Sequence, residues 1–318
     1  MMEFALSQEQ QELAATVRSL LDRRVDSTAV RAGYDEELWR LMCQQIGVAA
    51  LAVPEEYDGV GASLLESMVV LEEVGRSLAP SPLLASVVAA EALLAGGTDE
   101  ARAELLPRVA AGEVAAFAVP DEPALFADLA TVLVVADDSL VLADDPAPWV
   151  PSMDQTIRLG LVTTVEGTSI GDAPAARARA ALVGSVGVAA LSAGLSARAL
   201  EMTVAFTKER VQFGRPIGSF QALKHRMADL LVLVEMSRSA SWAASYALAT
   251  GAGNAEQLAH VAKAYCSDAL DRVAAETVQL HGGIAITWEH DAQLVFKRAH
   301  ALAQLFGQPH EHRALVTL

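Results

Sequence analysis

Cysteine is nearly absent: Cys43 and Cys266 are the only two in 318 residues. They lie far apart and have no histidines at metal-ligand spacing. That excludes a disulfide framework and a structural zinc site, and leaves two buried free thiols. Aromatic residues make up 5% of the chain against 53% hydrophobic residues. A core poor in rings and filled with alanine and leucine belongs to packed helices more than to a sheet protein. Basic residues are outnumbered, 23 Lys and Arg against 40 Asp and Glu, and the formal charge of −17 is spread along the whole chain. That balance favours solubility and argues against nucleic acid or an anionic membrane surface as partners. The most apolar run, Ala180 to Ala197, is broken by glycine and serine and falls short of the roughly 20 residues of a membrane span. The opening MMEFALSQEQQELAATVRSLL carries early acidic residues at helical spacing, so it does not read as a secretory leader, and a cytoplasmic location is expected.

Three blocks follow one another. Ser7 with Gln10 three positions on makes a capping box ahead of a periodic apolar pattern, which predicts a helix from residue 7. Further helices are predicted over 35–46, 64–76, 82–95 and 99–111, punctuated by Pro54, Asp58-Gly59, Gly61 and Pro80. Short β-branched or apolar runs at 114–119, 131–135, 139–143 and 158–165 then predict strands of a small antiparallel or barrel-like insert. Beyond Ala173 strands are expected to disappear. Helix-length patterns at 179–208, 220–251, 255–281 and 291–307 read as a four-helix bundle, with 173–181 as its surface entry. The expected organisation is an N-terminal helical domain over 1–112, a reduced β domain over 113–172 and the bundle over 173–318.

Three motifs carry chemistry. Val53-Pro54-Glu55-Glu56-Tyr57-Asp58-Gly59, with Leu71-Glu72-Glu73-Val74-Gly75 after it, is a turn leading to an amphipathic helix. Arg210-Val211-Gln212-Phe213-Gly214-Arg215-Pro216-Ile217, then Phe220-Gln221, joins the first two bundle helices. A diphosphate needs a fixed cation, and an adenosine needs an apolar wall and an amide; Arg210, Phe213 and Gln221 supply these types. Gln279-Leu280-His281-Gly282-Gly283-Ile284-Ala285-Ile286-Thr287-Trp288-Glu289 ends the third bundle helix, where paired glycines let a phosphate approach bare backbone amides.

In the order of its blocks and in these motifs the chain resembles the acyl-CoA dehydrogenases over essentially its whole length. The resemblance implies a mainly α acyl-CoA dehydrogenase fold, FAD as cofactor, an acyl-CoA substrate and an electron-transfer flavoprotein-type acceptor. It also implies that Arg210, Gln212, Phe213, Gln221, Gln279, Gly282 and Gly283 bind the cofactor, such residues reaching across a subunit interface to the ADP part of a neighbour's FAD.

In that family a glutamate removes the α-proton of the thioester while the β-hydrogen leaves as hydride, and the glutamate occupies one of two places. The matching positions here are Phe306 and Gly184, and the nearest acids, Asp172, Glu201 and Glu311, are displaced by several residues. No catalytic residue is therefore expected in this chain. The family's Gly- and Ser-rich flavin loop also has no counterpart in Ala118-Val119-Pro120-Asp121-Glu122-Pro123-Ala124-Leu125. The resemblance then implies a larger acyl-CoA dehydrogenase paralogue as partner in an α2β2 heterotetramer. This chain would be the short β-type subunit of a bacterial steroid enzyme of cholesterol catabolism. Two alternatives stand beside it: a self-sufficient homomer with a relocated base such as Glu235 or Glu311, and a flavin-free scaffold. His225, His260, His290, His300, His310 and His312 share no metal-ligand spacing and read as helix faces and a solvated tail. Trp39, Trp242 and Trp288 read as core or interface anchors.

Overall fold

The computed structural model describes residues 5–317; the first four residues of the opening segment discussed above lie outside the described residues. The N-terminal block holds α1 (Gln8–Arg24), α2 (Ser27–Ala32), α3 (Glu36–Ile46), α4 (Leu64–Ser77), α5 (Leu83–Gly96) and α6 (Asp99–Ala110). Their starts are set by side-chain caps: Ser7 and Ser63 form capping boxes with Gln10 and Glu66, and Asp26, Asp35 and Thr98 cap singly. Each cap satisfies backbone N–H groups that a helix start leaves unpaired.

The middle block holds seven strands: β1 (Ala115–Ala118), β2 (Pro123–Leu125), β3 (Val132–Ala136), β4 (Leu140–Ala143), β5 (Trp149–Val150), β6 (Leu159–Leu161) and β7 (Gly167–Gly171). They form a four-stranded sheet in the order β1-β3-β4-β7 and a three-stranded sheet in the order β2-β6-β5. The expected antiparallel insert needs correcting, because β1 and β3 pair in parallel. All five residues of β3 are buried, as a strand covered on both faces requires.

The C-terminal block holds α7 (Ala173–Glu209), β8 (Val211–Gln212), β9 (Arg215–Pro216), α8 (Gln221–Ala249), α9 (Ala255–His281), α10 (Ala292–Gln304) and α11 (Pro309–Leu315). Strands thus do not disappear after Ala173: β8 and β9 make a two-residue hairpin. Nor is 173–181 a surface entry, since it is the first two turns of α7, with Ala173, Ala176 and Ala180 buried. That helix is long and apolar enough to cross a membrane by length and composition alone, a correction to the shorter run read above, but most of its apolar window is buried inside the fold. Its small residues let α4 lie directly against it. A Cβ on Gly75 of α4 would collide with the Leu191 backbone, and one on Gly194 of α7 with the Glu72 carbonyl. This backbone-to-backbone contact fastens the N-terminal block to the bundle. Both carry parts of the site described next.

Candidate functional site

The two nucleotide-type motifs meet at one end of the bundle. Phe206, one turn before the end of α7, stacks on His281 at the end of α9, with ring centroids 4.4 Å apart. Thr203 donates to Thr277 at 3.0 Å. Arg226 near the start of α8 pairs with Glu276 of α9 at 2.7 Å. These contacts bring Arg210, Gln221, Gln279, Gly282 and Gly283 to the same end, all of them exposed. His281 donates through Nδ1 to the Thr277 carbonyl at 2.7 Å, while its Nε2 is buried without a partner. Burial holds its pKa below the ordinary histidine value, against the opposing effect of that hydrogen bond.

Between α7 and α8 the hairpin projects. Its two loop residues, Phe213 and Gly214, both have positive φ, 53° and 74°, the geometry of a type I′ turn. Phe213 is 92% exposed, so an aromatic ring in a left-handed backbone conformation faces solvent. A branch-free glycine fits that region without cost, whereas an L side chain carries strain there. The Phe220 ring stands edge-on to it at 6.1 Å, and the Arg215 guanidinium lies 4.0 Å over Phe220. Gln212 folds back onto its own strand, donating to the Val211 carbonyl at 2.8 Å. On the other side, Trp288 is fixed by Lys297 4.6 Å from its ring and by Arg31 donating to its carbonyl, leaving Ile286 and Trp288 exposed. An exposed cation, amides, bare glycine backbone and unpaired apolar surfaces are what a dinucleotide's adenosine diphosphate half requires.

The two positions matched to the family's base converge in space. A Cβ on Gly184 would overlap the Phe306 ring, so a phenyl group fills the place between α7 and the α10–α11 turn. Phe306 also has positive φ, 54°. Of the acids weighed from sequence, Glu201 is paired with Arg76, and Glu311 caps α11 by accepting from Gln308 N at 2.6 Å. Glu235 is exposed on α8 beside Arg238.

Phe306 borders a cavity of about 740 Å³ between the β block, α5, α7 and α10. Leu125, Met153, Ile157, Leu159 and Leu305 line it, and Glu122, Ser152, Arg177, His300 and Gln304 are the polar side chains on its wall. Sequence reading singled out neither this cavity nor Glu122, its one carboxylate; only the departure of the 118–125 loop from the family pattern marked the region. The walls are held firmly. Arg298 on α10, 3% exposed, bonds Asp154 at 2.6 Å and Thr156 at 2.9 Å, pinning the β5–β6 loop. Lys263, fully buried, donates to the Ala303 carbonyl at 3.2 Å, and burial pushes its pKa down to about 8. His312 donates to the Phe306 carbonyl at 2.8 Å and faces His260 at 2.9 Å. His312 is therefore buried and no part of a solvated tail; the turn of α11 folds it back against α9.

The fold agrees with comparisons to known proteins. Residues 7–113 match the acyl-CoA dehydrogenase N-terminal domain and residues 177–317 the acyl-CoA dehydrogenase C-terminal domain. The chain belongs to the acyl-CoA dehydrogenase family, whose fold binds FAD. More particularly, it is 44% identical over 314 residues to the acyl-CoA dehydrogenase IpdE2 of Mycolicibacterium smegmatis, covering 96% of this chain and 97% of that protein. Among solved structures it superposes on the Tcur3481-Tcur3483 steroid ACAD with TM-score 0.85 and 29% identity, over 97% of this chain and 96% of the other. The ChsE4-ChsE5 complex from Mycobacterium tuberculosis shares the fold at TM-score 0.87 and 23% identity, over 99% and 97%.

Proposed function

We propose that this chain is the base-free subunit of a heteromeric, FAD-dependent acyl-CoA dehydrogenase that introduces an α,β double bond into a bulky steroid-derived acyl-CoA. The observation that carries the reading is the Phe306–Gly184 contact, which puts a phenyl ring where the family's carboxylate is matched from either direction. A ring cannot accept the α-proton, and general-base catalysis needs a carboxylate within hydrogen-bond reach.

The residues at the bundle end have the opposite character. Arg210 offers its guanidinium to a diphosphate, Phe213 and Gln221 an apolar wall and an amide to adenosine, and Gln279, Gly282 and Gly283 polar and backbone groups to the phosphates. Gln212 stiffens the hairpin tip. FAD, when bound, supplies the hydride acceptor. A larger paralogue supplies the base and the flavin cradle, in an α2β2 assembly that passes electrons to an electron-transfer flavoprotein-type acceptor. Support for a paired assembly comes from the likeness to the two-component steroid structure; the exposed Phe213, Ile286 and Trp288 give a second chain something to cover.

Co-purifying this chain with its paralogue and counting flavin by absorbance tests the reading: one flavin per pair of chains is expected. A flavin-loaded, active homomer of this chain alone would overturn it. The homomeric alternative has one carboxylate on the cavity wall to call on, Glu122, so activity with an artificial electron acceptor that is abolished in Glu122→Gln would favour it. Loss of flavin in an intact Arg210→Ala complex separates a nucleotide clamp from a scaffold, in which occupancy would be unchanged.

A further inference from the structure

We infer that α11 is an acid-released strap: the His260–His312 pair fastens it to α9 over the Phe306 turn, and a second proton on that pair frees both. The helix lacks the apolar anchor that usually holds a terminal element. Of its seven residues only His312 is buried, and Leu315 is 59% exposed. Arg313 also pairs with Asp268 on α9, both side chains about half exposed, and Gln257 donates to the Thr317 carbonyl just past the helix end. Ion pairs in that setting contribute little. A segment held by polar contacts at the surface opens far more readily than the core beneath it.

The proton positions in the pair follow from its partners. The His312 ring sits against Gly307, where φ is 94° and a Cβ would lie 2.9 Å from Nε2. A carbonyl only accepts, so the 2.8 Å contact with the Phe306 carbonyl puts a proton on His312 Nε2. In the neutral ring Nδ1 is then the acceptor, and the 2.9 Å contact takes its proton from His260 Nδ1. A proton added to His260 Nε2 leaves both bonds in place, because that nitrogen faces the Glu256 carboxylate at 3.9 Å. The next proton has only His312 Nδ1 to go to, where N–H would stand against N–H. The pair therefore holds one extra proton and is broken by two.

The surroundings give the release its direction. Burial chiefly holds the His312 pKa below 6.5; its bond to Phe306 and the Glu311 carboxylate act the other way, while Lys263 and His260 add to the effect of burial. The fastening is whole above that value and is lost as pH falls beneath it. Lys263, with its pKa pushed down by burial to about 8, is a cation throughout that interval and keeps its 3.2 Å bonds to Ser267 and the Ala303 carbonyl. Of the other groups around the pair, Glu311 is engaged with Gln308 N, Asp268 with Arg313, and the Cys266 thiol is neutral; His310 is exposed. Acid thus withdraws the hold on Phe306 and leaves the hold on α10. Phe306, at φ 54°, then loses a contact that keeps its backbone left-handed, and its ring is free to leave Gly184. None of this depends on which chain carries the base or the flavin.

Hydrogen exchange of the full chain, followed by mass spectrometry at pH 7.5 and 5.0 with labelling times scaled for intrinsic exchange, tests the strap. Peptides over 308–315 should exchange at least about tenfold faster at pH 5.0 after scaling, with those of α7 and α9 unchanged. In His260→Gln the amide donates to the neutral His312 ring or accepts from the protonated one, so the step between the two pH values should disappear. His312→Gln has no proton to take up, and its step should disappear as well. Equal scaled exchange at both pH values in the wild type overturns the inference, as does acceleration of every helix together at pH 5.0. A step kept at full size in either variant overturns it too, and α11 unprotected at both pH values in both variants makes the pair a fixed fastening with no proton control.

Discussion

Gly184 and Phe306 form a matched pair: the smallest side chain on one element makes room for a ring on another. Gly184→Ala places a methyl group inside the phenyl ring's contact distance, and overpacking of this kind costs about 1–3 kcal/mol. Thermal melts should show that loss, and Phe306→Ala should recover most of it in the double variant; additive losses would mean the two residues do not share space. Phe213 poses the reverse case. Its ring is exposed while its backbone is strained, so Phe213→Asn should raise stability by about 0.5–1 kcal/mol, because asparagine tolerates the left-handed region. The same variant should lower flavin retention in the complex, and retention equal to wild type would count against a role for the ring. The two thiols are held inert: burial pushes both Cys43 and Cys266 up to about 12. Native protein at pH 8 should resist iodoacetamide at Cys266, with both cysteines reacting only after denaturation.

Among the elements, the long helices were legible from apolar periodicity and caps, and most of their bounds lie within two residues of those read from sequence. What escaped reading was short or non-local. The six residues of α2 and seven of α11 hold too few turns to show a period. The β8–β9 hairpin turns on Phe-Gly in place of the usual Asn-Gly signal, so nothing in its composition announced it. Burial of His312 and the early turns of α7 depends on which partner folds over them. The motif residues were found from sequence, but their gathering at one bundle end rests on Phe206–His281 and Arg226–Glu276, pairs with no local signature. The clamp on the β5–β6 loop was equally invisible. Arg298→Met would leave Asp154, inaccessible to solvent, as an unpaired buried charge, with an expected loss of about 3–5 kcal/mol. Chemical denaturation should register it; a change under 1 kcal/mol would mean the loop is held by other contacts.

For the molecule as a whole, three histidines set the response to acid. Burial lowers the pKa of His281, His290 and His312 beneath the ordinary 6.5. Each is neutral in the folded state where the unfolded chain already binds a proton, so unfolding takes up protons below about pH 6.5. Stability is complete above that value and declines as pH falls through the interval beneath it, by up to about 1.4 kcal/mol per pH unit for each proton involved. The hydrogen-bonded carboxylates Glu66, Glu113 and Glu201 have folded values lowered from 4.5, so their contribution is present above 4.5 and lost only at lower pH. The melting temperature should therefore be lower at pH 5.5 than at pH 7.5, above the range in which those three carboxylates titrate. Equal melting temperatures would remove the histidines from the account.

Helix α7 also serves as a ruler. Gly184 lies about a third of the way along α7 and Arg210 caps its far end, and at 1.5 Å of rise per residue about 39 Å separates them. A stretched flavin dinucleotide is shorter than that. The hairpin and the blocked base position of a single copy are thus out of reach of the same cofactor molecule, so the proposed grip of Arg210 on a diphosphate would require the reactive ring to sit in another polypeptide.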